Sequence, residues 1–102
     1  MTKLKLTPDP TFKAIVGIPV PGGEPAPVEF TFKYRTQSEM DAWVNDPQKT
    51  NLDAAKDCVL GWDLDDEYND ENIVKLCDRY GGAVQAILSS YIKELRGARA
   101  KN

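Results

Sequence analysis

An α+β fold follows from three features of the sequence. Six of the seven prolines fall between Pro8 and Pro27, which excludes helix from the N-terminal third, because proline lacks an amide donor and fixes φ. Two segments in and just after that region alternate apolar and polar residues with a period of two. Beyond Thr36 the spacing lengthens to the three-and-four rhythm of amphipathic helices. The chain is therefore expected to fold as an N-terminal β-hairpin with a long Pro/Gly loop, packed against about four short to medium α-helices. Its 102 residues suit a single domain covering 1–102, with flexible ends at 1–11 and 97–102.

The first strand is read from "TFKAIVGIPV", which sets Phe12, Ala14, Val16, Ile18 and Val20 on one face. The second, "VEFTFKYR", alternates more cleanly: Val28, Phe30, Phe32 and Tyr34 against Glu29, Thr31, Lys33 and Arg35. Such alternation marks a half-buried antiparallel strand. The connector from about Pro21 to Pro27 is too long for a two-residue turn and is expected to be exposed and mobile.

Thr36 followed three residues later by Glu39 has the spacing of a capping box. The helix it opens would place Met40, Trp43 and Val44 on one face and stop at Pro47. A second short helix is expected from Thr50 or Asn51, offering Leu52, Ala55, Cys58 and Val59, with Gly61 and Trp62 closing it. Ile73, Leu76, Cys77 and Tyr80 define a third. Gly81 and Gly82 are expected to end it, since glycine enters the left-handed C-terminal conformation at little cost. Val84, Ile87, Leu88, Tyr91, Ile92 and Leu95 stripe a longer last helix. All these apolar stripes need cover, and the apolar face of the hairpin supplies it. A two-stranded hairpin leaves two unpaired edges. Pro19 and Pro21 blunt one, so the "EFTFKYR" side is expected to pair with another chain.

Composition removes several functions. The chain has no histidine, so imidazole-based triads, dyads and zinc sites are excluded. A net charge of −3 argues against nucleic-acid binding, which calls for a basic face. No apolar run is long enough for a membrane span, and "MTKLKLTPDP" lacks the apolar core of a secretory signal. A cytosolic setting is expected, with Cys58 and Cys77 reduced and buried. The prolines of "GIPVPGGEP" remove amides that a phosphate-binding loop would use. Neither a cofactor nor an enzymatic activity is expected.

The densest charge lies in "GWDLDDEYNDENI", Gly61 to Ile73. Calcium-loop spacing fails in both registers: starting from Asp63, the glycine and glutamate positions are Tyr68 and Val74, and from Asp65 they are Asp70 and Leu76. A general acid–base pair needs a cleft and two contrasting environments, which adjacent surface acids do not supply. Asn69 instead suits a helix N-cap, with Asp70 and Glu71 in the favourable first turn. Asp63, Asp65, Asp66 and Glu67 remain as a candidate recognition surface. Further candidate contacts are Thr31 and Lys33 on the open edge, the proline-rich loop, and Lys93 and Arg96 near the last helix end. The last pair also suits a helix C-terminus.

The order of landmarks, "FTFKYRTQSEMDAWV" followed by "GWDLDDEYNDENIVKLCDRYGGAVQAILSSYIKELRGARAKN", resembles the tail assembly chaperones of long-tailed, lambda-like bacteriophages. The shared landmarks are an aromatic strand running into a "T..EMDAW" helix and a "GWD" followed by "N.EN". A short helix ending in tyrosine and an "A..I...Y..EL..A..KN" helix complete the series. A double glycine stands where the family pattern carries a proline. The resemblance implies a non-enzymatic factor that binds the tape measure protein, keeps it soluble and recruits tail tube subunits. It also implies self-association, action in the host bacterial cytoplasm and absence from the mature virion. A longer form made by programmed frameshifting is implied as well, and codons for Ala100-Lys101-Asn102 could hold the slippery run. The competing reading is a small acidic interaction module, an inhibitor or adaptor, that binds one folded partner.

Overall fold

The computed structural model describes residue 4 and residues 6–97. The elements run β1 (Thr11–Ile18), β2 (Ala26–Lys33), α1 (Gln37–Val44), α2 (Asn51–Cys58), β3 (Val59–Trp62), α3 (Asp70–Arg79) and α4 (Ala83–Arg96). The fold is α+β: one antiparallel sheet in the order β1-β2-β3, with helices on one face. Of the ends expected to be flexible, residues 1–3, 5 and 98–102 lie outside the described residues, and so does the frameshift position at 100–102. Thr11 already belongs to β1.

β1 and β2 form the expected hairpin, in a register that sets Phe12 beside Phe32 and Val16 beside Val28. Their inward side chains, with Val59 of β3, build one core with Met40, Ala55, Cys58, Ile73, Ala83, Ile87 and Tyr91. The alternation in the sequence therefore does mark the buried face, because successive strand side chains point to opposite sides.

The hairpin connection differs from its expected form. β2 begins at Ala26, so Pro25 is the last loop residue. Val20, Pro21, Gly22 and Gly23 form a tight turn closed by a 2.9 Å bond from the Gly23 N–H to the Val20 carbonyl. Gly22 sits at φ 78°, and proline followed by positive-φ glycine is the pattern of a type II turn. Pro27 lies inside β2 opposite Gly17. It fits because its nitrogen points away from β1, toward the β3 side of β2 but beyond the last bonds of that ladder at Glu29, so no ladder bond is lost.

The larger correction is β3. Val59 does not continue α2, and Gly61 and Trp62 do not merely close it. Val59–Trp62 turns back and pairs with β2, Trp62 beside Phe30 and Gly61 beside Thr31, with a bulge before Val59 meets Phe32. β2 is thus the central strand, and the "EFTFKYR" edge expected to be open is occupied by the chain itself.

α1, α2 and α3 each start where a side chain satisfies their first amides, whereas α4 follows Gly82 with no side-chain cap. Thr36 and Glu39 form the capping box on α1, and Thr50 and Asp53 form another on α2. Asn69 caps α3. Val44 lies 45 % exposed rather than on the buried face with Met40. Tyr80, not a left-handed glycine, ends α3; among the described residues only Gly22 and Gly97 have positive φ. Gly82 answers a packing need, since a Cβ there would come within 2.8 Å of Pro19. Gly97, at φ 64°, closes α4. No helix among the described residues is long and apolar enough to cross a membrane.

Candidate partner-binding surfaces

The acidic stretch is a braced loop between β3 and α3. Trp62 donates its indole N–H to the Asp66 carbonyl at 2.7 Å, and Tyr68 donates its hydroxyl to the Val59 carbonyl at 2.8 Å. The two rings meet edge to face, centroids 5.0 Å apart. Asn72 reaches back from α3 to the Glu67 carbonyl. The loop backbone is held from both ends, and its acids are carried outward.

Asp63 has a different task. Its N–H donates to the Glu29 carbonyl at 3.1 Å, while its carboxylate accepts the Glu29 N–H at 3.0 Å. The side chain stands where the next strand carbonyl would be and terminates the ladder. Asp65, Asp66 and Glu67 are exposed. Asp70 pairs with Lys56 of α2 at 2.9 Å, and that hydrogen bond raises the lysine's pKa.

Thr31 and Lys33 lie on the central strand, not on an edge. Thr31 is half-buried beside Gly61 on the sheet face away from the helices. The Lys33 carbonyl accepts the Tyr91 hydroxyl at 2.7 Å. Lys93 is exposed on the last turns of α4. Arg96 is tied to Asp41 of α1 at 3.0 Å. The eight candidates therefore do not assemble into one site: Thr31, Lys33 and Asp63 belong to the sheet and its end, Asp65 to Glu67 rim a loop, Lys93 is exposed on α4, and Arg96 is tied to α1.

A surface not legible in the sequence lies beside that loop. A groove of about 440 Å³ opens between the hairpin end, the loop and α3. Ile18, Val28, Trp62, Leu64 and Leu76 give it an apolar lining, to which α3 adds Lys75 and Arg79 and the loop adds Asp66. Leu64, an apolar residue among the acids, was its one sequence signal.

The chain's thiols are not primed for nucleophilic attack. Burial pushes the Cys58 thiol up to about 12 and also raises that of Cys77. Among the described residues no group of three or more Cys, Asp or Glu is arranged to hold a metal ion.

No curated protein and no solved structure matches the chain. The model of one family, described as phage tail assembly chaperone, matches residues 1–102. That match spans the strand-to-helix junction, the braced acidic loop and the α3–α4 pair alike, and the chain belongs to the phage tail assembly chaperone family.

Proposed function

We propose that this chaperone binds amphipathic helices of the tape measure protein and keeps that long polypeptide soluble until tail tube subunits assemble around it. The observation that carries the reading is the apolar groove beside α3. Its apolar lining can take the apolar stripe of one helix, while Lys75 and Arg79 of α3 and Asp66 of the loop suit charges flanking that stripe. A ruler with repeated amphipathic segments would engage many copies, so weak single contacts add up to firm but reversible holding. Self-association and recruitment of tube subunits belong to the same proposal. So do action in the host cytoplasm, departure before the virion is complete, and a longer frameshifted form.

The role is that of a binder, with protein partners and no chemical step. The test is recovery of tagged chain from cells in which the source phage is induced, followed by mass spectrometry of what accompanies it. Tape measure protein is the expected companion, together with a longer form of this chain. Recovery of a single folded protein unrelated to tails would replace the proposal with an adaptor role.

A further inference from the structure

The sheet has two outer edges, and they are not alike. β3 is four residues long, carries a bulge and runs straight into the acidic loop, all of which discourage strand addition. β1 is eight residues long and regular, with no proline between Thr11 and Ile18. The Tyr34 N–H donates to the Pro10 carbonyl, so the even-numbered positions of β1 bond to β2. The N–H and C=O groups of Thr11, Lys13, Ile15 and Gly17 therefore point away from β2, because the sides alternate along an antiparallel strand. Among the described residues no further strand lies beyond them and no turn or loop hydrogen bond reaches them. At the middle of this edge Ile15 is 68 % exposed, on a sheet face that no helix covers.

We infer that β1 pairs antiparallel with β1 of a second copy about a two-fold axis through Ile15, joining two three-stranded sheets into one. The inference rests on the reading of this chain as a self-associating chaperone and names the surface used. Residue chemistry selects the register. With the axis at Ile15, the two isoleucines are direct neighbours, and each Lys13 faces the other copy's Gly17, where no side chain competes. Pro25, whose Cβ would lie 3.2 Å from a Cβ on Gly17, offers an apolar surface for the lysine stem. An axis at Lys13 would set lysine against lysine, which destabilises a cross-strand pair. An axis at Ala14 would set each Lys13 against the other copy's Ile15. Axes at Thr11 or Gly17 would leave half of the edge unpaired.

A position that faces its own copy has a diagnostic property: like charges there repel, and opposite charges attract. The test is sedimentation equilibrium of the purified chain under reducing conditions, comparing wild type, Ile15→Glu, Ile15→Lys and an equimolar mixture of the two variants. The expected wild-type mass is that of two chains of 11.4 kDa. Each variant alone is expected to associate about ten-fold more weakly or worse, and the mixture to return to the two-chain mass. Circular dichroism establishes that each variant is folded; should one fail to fold, wild type and the other variant still decide. A wild type of single-chain mass throughout the concentration range overturns the inference, and so does an oligomer that both variants leave unchanged. Because no tail protein is present, such a result leaves tape measure binding standing. A dimer that recovers no tape measure protein would instead count against the proposed function alone.

Discussion

Tyr91 ties distant parts of the chain together through one hydroxyl. It donates to the Lys33 carbonyl at 2.7 Å and accepts from Arg35 at 2.8 Å, across 58 and 56 positions of sequence. Its ring touches Phe12, Phe32 and Trp43, and the Arg35 guanidinium lies over Trp43 at 4.7 Å. Tyr91→Phe keeps the ring but orphans both partners, and is expected to cost about 1–3 kcal/mol; a urea titration measures it. The apolar stripe of α4 was legible because it depends on local spacing, but the partners of the hydroxyl depend on chain reversal and were not. Asp63 teaches the same lesson: in sequence it is one acid among several, and in the fold it closes the ladder at Glu29. Cys58, with its thiol pushed up to about 12 by burial, has almost no thiolate at pH 8. It is expected to resist alkylation by iodoacetamide in the folded protein and to react promptly in denaturant, as mass spectrometry of modified peptides would record.

At the scale of elements, the helices were readable and one strand was not. Capping chemistry is local, so Thr36 with Glu39 announced the start of α1 correctly. β3 was hidden because Val59 extends the apolar spacing of α2, and a four-residue strand exists only by virtue of the partner beside it. With β3 in place β2, where Thr31 lies, is no longer an edge, and the candidate open edge is β1, because Pro19 and Pro21, expected to blunt it, fall beyond its end at Ile18. The α1 cap also carries a pH dependence. The Thr36 backbone N–H bonds the Glu39 carboxylate at 2.8 Å and lowers its pKa below the ordinary 4.5. A carboxyl whose pKa is lower when folded stabilises the fold above its unfolded pKa, and that contribution fades as pH falls through the folded value. Melting curves of wild type and Glu39→Ala are therefore expected to differ near neutral pH and to converge as pH drops below the ordinary carboxylate range. At fixed neutral pH, Thr36→Ala is expected to cost about 1 kcal/mol of stability.

At the scale of the molecule, one sheet face is packed under helices, no helix among the described residues covers the other, and the groove opens at the hairpin end. Class and layering were legible, since strand and helix periods each declare a buried face. The groove was not, because Ile18, Val28, Trp62, Leu64 and Leu76 come from β1, β2, β3, the acidic loop and α3 respectively. Groove and β1 edge draw on different residues, so a ruler helix could be held while copies pair through their sheets. Leu76→Asp, which puts a charge in the groove, and Arg79→Glu, which reverses one at its rim, are both expected to weaken holding without changing the two-chain mass. The most direct measurement is the soluble fraction of tape measure protein co-expressed with no chaperone, with wild type, or with either variant, the fold of each variant being verified by circular dichroism. The expected result is tape measure protein kept in solution by wild type and lost to the pellet with both variants. Tape measure protein that pellets equally with and without wild type, or that both variants keep in solution as well as wild type does, would contradict the assignment of the groove as the chaperone's working surface.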